Sequence, residues 1–168
     1  DHTINGHGIK NSSEKMEMLA NAGMGYMRST CSWGIIETTA GSMKIPNDVD
    51  DVIDDAVAAG IEPVLILSGK GASSTPDSPP LTDEGRARFV KYAEYLVGAT
   101  KGRVKYFELW NEWNLDGFNA SGATAEDYAL LMKEVYPAIK KVNPDCVLIG
   151  LGGVTNVSNM YEWIEQVL

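Results

Sequence analysis

A carboxylate set between two indoles is the residue pattern with the clearest chemistry in this chain. Glu112 follows Asn111 and lies between Trp110 and Trp113, at the end of an apolar run that begins near Lys105. Burial against aromatic rings favours the protonated form of a carboxyl group, and a protonated carboxyl can donate to a departing oxygen. Asn111 can both donate and accept beside it, as recognition of a hydroxyl requires. The competing reading makes Glu112 a carboxylate that pairs with a structural Arg.

These residues need elements to position them, and the chain alternates strand and helix patterns throughout. Thr3 to Lys10 reads as a short strand running into a Gly-flanked loop, with His7 at its end. Ser12 or Ser13 caps a helix carrying Met16, Leu19, Ala20 and Ala22, and Gly23 ends it. A strand from Met24 to Ser29 bears Arg28. A loop follows with Trp33 and Glu37, turning at Gly41. Asn47 or Asp48 caps the next helix, whose Val49, Val52, Ile53, Ala56 and Val57 share one face. Acidic side chains fill its first turn, and Gly60 fits the left-handed position past its end.

Pro63 to Leu67 is an unbroken apolar strand, the kind found in parallel sheets covered on both faces. Gly69 to Pro80 is a loop. Thr82 opens a helix with Phe89, Val90, Ala93, Leu96 and Val97 inward. The strand leading to Glu112 comes next. Thr124 and Asp127 make a capping-box pattern for a helix carrying Tyr128, Leu131, Met132, Val135, Ile139 and Val142. Pro137 is expected to kink that helix or begin a second segment. Cys146 to Ile149 is a fifth strand. Ser158 caps a last helix with Tyr161, Ile164, Val167 and Leu168, and the chain ends inside it.

Five strands alternating with helices imply right-handed crossovers and a parallel sheet. A (β/α)8 barrel needs ~250 residues, so the chain would supply about five-eighths of one. The expectation is therefore an α/β fold, a partial (β/α)8 TIM barrel forming a single unit over residues 1–168. The alternative that would be intact at this length is an open doubly wound sheet.

Composition bounds the partners. The chain has 168 residues, 44% hydrophobic and 22% charged, with a net charge of −9. That charge argues against nucleic acid and anionic membrane as partners, because both demand basic patches. No apolar run approaches the roughly 20 residues of a membrane span. The chain opens Asp-His-Thr without an initiator Met, so either a leader has been removed or the chain has been trimmed. A secreted or periplasmic location is favoured on that ground, with no targeting segment to fix it. Cys31 and Cys146 fall at opposite ends of a parallel sheet, which argues against a disulfide. Asn11, Asn119 and Asn156 begin Asn-x-Ser sequons, which matter only in a glycosylating host.

Trp110-Asn111-Glu112 resembles the Asn-Glu signature that closes the fourth strand in clan A of the glycoside hydrolases, the retaining TIM-barrel glycosidases. It closes the fourth expected strand here as well. The run Phe107 to Leu115, Phe-Glu-Leu-Trp-Asn-Glu-Trp-Asn-Leu, is similar to family 39 and its endoglycosidase relatives, which carry Pro where this chain has Trp113. Trp33, Glu37 and Gly41 resemble a Trp-x-x-Ile-Glu-x-x-x-Gly stretch of the same relatives, and the clan commonly keeps an Arg where Arg28 falls.

The resemblance implies a retaining β-glycosidase acting on O-glycosidic bonds in oligo- or polysaccharides, without a cofactor. Glu112 would be the general acid/base, Asn111 the contact to the sugar 2-hydroxyl, and Arg28 would orient carboxylates at the barrel mouth; a buried pair of Arg28 with Glu108 is the other reading, and the two are compatible. Arg28, Trp33, Trp113, Asn114 and His7 would contribute to substrate binding, the two indoles by stacking on sugar rings. A Trp can equally cover a core, and His7 can equally be a satisfied loop residue. The retaining mechanism needs a second carboxylate about 5 Å from the first. In this clan it comes from strand seven, which the chain does not reach. Glu37, Glu62, Glu108, Glu126 and Glu162 do not match it by position, and Glu108 lies roughly 13 Å from Glu112 along an extended strand. A non-catalytic half-barrel that binds carbohydrate, or that another chain or a second copy completes, is the alternative. A third reading is an open α/β protein in which Glu112 is structural.

Other motifs are weak. Gly150-Leu-Gly-Gly153 and Gly69-Lys-Gly71 lack the spacing of dinucleotide and phosphate loops, and two His and two Cys residues, all scattered, offer no metal cluster.

Overall fold

A computed structural model describes residues 10–71, 79–115, 122–152 and 160–168. Four strands form one parallel sheet: β1 (Tyr26–Thr30), β2 (Glu62–Leu67), β3 (Tyr106–Leu109) and β4 (Val147–Ile149). These are four of the five expected strands. The expected first strand and His7 lie outside the described residues. Strand order is β1-β2-β3-β4, strictly sequential. A doubly wound sheet reverses direction at a switch point, and no such point occurs among the described strands.

Among the described residues six helices connect and cover the strands: α1 (Ser12–Asn21), α2 (Trp33–Ile36), α3 (Asn47–Ala58), α4 (Asp83–Ala99), α5 (Ala125–Val142) and α6 (Met160–Val167). Neighbours in sequence pack in space, α1 on α3, α4 on α5 and α5 on α6. That is the outcome expected when every crossover has the same hand. The core lies between these helices and one face of the sheet. Leu65 and Leu67 of β2 and Phe107 and Leu109 of β3 are fully buried there, against the apolar stripes of α3, α4 and α5. Each stripe follows the spacing read from sequence, except that Val57 is exposed.

Local signals decide the helix ends. Thr82 accepts from the Gly85 amide at 3.0 Å. Thr124 and Asp127 form the reciprocal capping box, with links of 2.8 and 3.2 Å. Gly60 takes φ 77°, the left-handed turn that a Cβ would oppose. Other expectations are corrected. The cap of α1 is Asn11, in left-handed conformation, and Ser12 instead reaches Asp55 across to α3. Pro46 precedes α3, so neither Asn47 nor Asp48 is its cap. Trp33 to Ile36 is a short helix within the expected loop. Helix α5 runs on through Pro137 as one segment. In α6 it is Trp163 that is buried, while Tyr161 and Leu168 are exposed.

Candidate active site

Register places Arg28 and Glu108 together. Arg28 pairs with Val64, which pairs with Tyr106, so Glu108 stands two positions further along on the same face. The Arg28 side chain spans β2 to meet it. Nε donates to Glu108 Oε2 at 2.8 Å and Nη2 to Oε1 at 2.6 Å. Glu108 is only 4% exposed, so this is a buried carboxylate taken by both prongs of a guanidinium. The guanidinium is held in its charged form, first by the hydrogen bonds to Glu108, against the opposing effect of burial, and further by the charges of Glu108 and Glu112. The buried pair read for Arg28 is therefore present.

The strand stops at Leu109, and the chain then turns sharply. Trp110 has φ 61° and Glu112 φ 49°, left-handed conformations that cost a non-glycine residue about 1–3 kcal/mol. Three fixed contacts hold them there. The Trp110 amide donates to Leu67 O at 2.9 Å, and the Glu112 amide to Gly152 O at 3.0 Å. The Trp110 ring packs into the core against Phe89 and Trp113. The turn brings Asn111 back over Arg28, whose Nη2 donates to Asn111 Oδ1 at 2.8 Å. Asn111 Nδ2 in turn lies 3.3 Å from Glu112 Oε2. Because the chain is not extended here, the separation inferred from strand rise does not apply. Glu108 and Glu112 are joined by one chain of hydrogen bonds through Arg28 and Asn111.

The tryptophans serve differently from the stacking surfaces expected. Trp33 is 0% exposed, parallel to Tyr92, edge-on to Phe89 and covered by the Arg88 guanidinium. Trp113 is also buried, edge-on to both Trp110 and Tyr128, and its Nε1 donates to Thr124 O at 3.0 Å. Neither ring has a free face to offer, because helices α4 and α5 close over them. Asn114 and Glu112, on either side of Trp113 in the chain, are half-buried. Of the predicted residues, the structure brings Arg28, Asn111 and Glu112 together. It places Trp33 and Trp113 in the core.

Glu37, which shares a motif with Trp33, is buried. It accepts from the Gly41 amide at 2.6 Å and pairs with Arg88 at 3.3 Å. The spacing of Trp33, Glu37 and Gly41 thus corresponds to a closed structural turn. Two contributors escaped the sequence reading. Gly152 sits against Glu108, where a Cβ would collide with the carboxylate. The Tyr128 hydroxyl, read as core, donates to Leu109 O at 3.1 Å and accepts from the Leu151 amide at 2.7 Å. Burial pushes its phenol up to about 12. The glycines after β4 were the available signal for Gly152. A buried Tyr signals nothing by sequence. Cys31 and Cys146 are buried and free. Among the described residues no group of His, Cys, Asp and Glu could hold a metal ion, and no helix is long and apolar enough to cross a membrane. A cavity of about 540 Å³, lined by Ile61, Pro63, Val104 and Lys105 among others, opens at the strands' N-terminal ends, the pole opposite Glu112.

A sequential parallel sheet backed by helices, with polar residues gathered past the strands' C-terminal ends, is the architecture of the TIM-barrel glycoside hydrolases, and this chain shares it over part of their length. In particular it is similar to a family 39 glycoside hydrolase from the gut symbiont Bacteroides cellulosilyticus WH2. The two are 28% identical, with a TM-score of 0.75, over 89% of this chain and 30% of that one. An exo-beta-1,4-mannosidase, Op5Man5 from Opitutaceae bacterium strain TAV5, matches at 18% identity and TM-score 0.69, over 85% of this chain and 28% of that one. GH5_18 from Streptomyces cattleya, in complex with GlcNAc, matches at 14% and 0.65, over 85% and 39%. These last two share the fold. The chain therefore spans from 28% to 47% of the length of these solved structures. No protein-family model matches it, and no curated protein matches it by sequence.

Proposed function

We propose that Glu112 is the general acid/base of a retaining β-glycosidase that hydrolyses O-glycosidic bonds in oligo- or polysaccharides, and that Asn111 contacts the sugar 2-hydroxyl. The observation that carries the reading is the position of Glu112. It lies just past the C-terminal end of β3, with its carboxylate 3.3 Å from the Asn111 amide and Asn111 held by Arg28. Function in parallel barrels gathers at that end of the strands. The likeness to a family 39 enzyme at 28% identity supports the same reading.

In the first step Glu112 gives its proton to the glycosidic oxygen as the aglycone leaves, while a second carboxylate bonds to the anomeric carbon. In the second step Glu112 takes a proton from water, which displaces that carboxylate and releases the sugar. The second carboxylate comes from outside these 168 residues. Glu108 is locked in its ion pair, and Glu37 is buried against Arg88. Glu62 begins β2 at the opposite pole, and Glu126 and Glu162 sit in the first turns of α5 and α6. Residues 1–168 are then one portion of a barrel. The sheet face that bears Arg28 and Glu108 leaves Tyr26 62% and Val147 39% exposed, and the remaining strands, from the same chain or another, would cover it.

An aryl β-glycoside assay on the chain alone, and on any extension of the reading frame past Leu168, tests this. Glu112→Gln should lower turnover by about 10²–10⁴-fold where turnover occurs. Turnover unaffected by Glu112→Gln would sink the assignment. Sugar binding without turnover at any length would favour a carbohydrate-binding half-barrel.

A further inference from the structure

We propose that Glu108 and Gly152 are positioning residues for Glu112, a buried carboxylate and a side-chain-free carbonyl that together fix the Asn111–Glu112 turn. This rests on the acid/base reading of Glu112 given above.

Orientation passes along the site in one direction. A guanidinium has donors only, so the atom of Asn111 that faces Arg28 must be its oxygen. The amide nitrogen is thereby turned toward Glu112, at 3.3 Å. Arg28 is itself oriented by the planar fork it makes with Glu108, at 2.6 and 2.8 Å. Rotating the guanidinium would release Asn111, and the fork prevents the rotation.

Gly152 joins the loop after β4 to both ends of this chain. Its carbonyl receives the Glu112 amide at 3.0 Å, which holds the left-handed turn. Its Cα lies against the Glu108 carboxylate so closely that any Cβ would displace it. Only glycine lets the same residue do both. The Tyr128 hydroxyl clamps the adjacent Leu109 and Leu151 main chains and keeps the two loops in register.

The test uses Glu108→Gln, which keeps shape and removes charge, and Gly152→Ala, which adds only the colliding methyl. The first readout is the side-chain amide ¹H–¹⁵N pair of Asn111, assigned by its loss in Asn111→Asp. Both variants should shift it and speed its exchange with solvent. The second readout is turnover of two aryl β-glycosides, one with an activated leaving group and one without. Misplacing the acid should lower kcat for the unactivated substrate by on the order of tenfold more than for the activated one, with KM little changed. A purely structural role would lower both alike. An unchanged Asn111 pair, or equal losses on the two substrates, overturns the proposal. If Glu108→Gln does not fold, Gly152→Ala decides by the same readouts. If neither the chain nor any extension of its reading frame turns over either substrate, the acid/base reading fails, while the Asn111 pair still decides whether Glu108 and Gly152 set the turn.

Discussion

The Glu108 carboxylate takes both prongs of the Arg28 guanidinium from two strands away, across 80 residues of sequence. The two side chains differ in exposure, 5% for Glu108 and 43% for Arg28. Most of the desolvation cost therefore falls on the carboxylate, and its stability depends on keeping the partner.

Arg28→Met should accordingly destabilise the chain by about 3 kcal/mol, the low end for breaking a buried pair, because water screens the half-exposed arginine. Glu108→Leu should cost less, since the half-exposed arginine left behind can turn to water. The double variant Arg28→Met/Glu108→Leu should recover part of the loss. Urea denaturation of the four proteins checks this, and strictly additive losses would show that the pair is uncoupled.

Trp33 separates packing from sugar recognition. Its Nε1 is buried without a hydrogen-bond partner among the described residues. Trp33→Phe removes that orphaned donor along with some ring area, whereas Trp33→Ala opens a cavity worth about 3–5 kcal/mol. The expected order of denaturation midpoints is wild type, then Phe, then Ala well below. Affinity for a sugar ligand, measured where the Phe variant is fully folded, should be unchanged.

Thr124 is used twice. Its hydroxyl caps α5, and its carbonyl accepts from Trp113 Nε1. Thr124→Ala should cost about 1 kcal/mol through the lost cap. Trp113→Phe should cost about as much for the lost hydrogen bond, plus a share for ring area. The two changes touch one helix start, so their effects should fall short of additive in a thermal-melt cycle.

Alkaline pH should unfold the chain through groups buried neutral. Burial pushes the Cys31 thiol from 9.0 up to about 12 and the Tyr128 phenol from 10.0 up to about 12, and it raises Tyr92 well above its ordinary value. The unfolded chain gives up these protons from about pH 9 upward, while the folded chain holds them. Above pH 9 the unfolded state therefore binds fewer protons, and stability falls as pH rises. The contribution is intact below pH 9 and is lost toward pH 12, at up to about 1.4 kcal/mol per pH unit for each group. Denaturation midpoints taken from about pH 8 to about pH 11 check the slope. Cys31→Ala should remove the portion that begins near pH 9.

Much of this protein was legible in its residues because the signals are local. Thr82, Gly60 and the pair Thr124 and Asp127 mark helix ends through contacts a few residues away. The apolar run of β2 marks it as a strand, with Leu65 and Leu67 turned to the helices. Asn111 and Glu112 could be placed at a strand end because the polar break follows the apolar run directly. The alternation of elements limited the sheet to parallel pairing, and sequential order agrees with it.

Tertiary structure decided what depends on residues far apart in the chain. An exposed and a buried tryptophan look alike in sequence, and Trp33 is buried because Phe89 and Tyr92 of α4 arrive beside it. Register alone sets Glu108 within reach of Arg28, since pairing passes through β2. The left-handed turns at Trp110 and Glu112 carry no propensity signal, because bulky and acidic side chains disfavour them and only distant acceptors, Leu67 and Gly152, hold them. The sequence by itself determined which groups stand at the strand end. Packing determined which of them face one another, because hydrogen-bond geometry is fixed between elements and not along the chain.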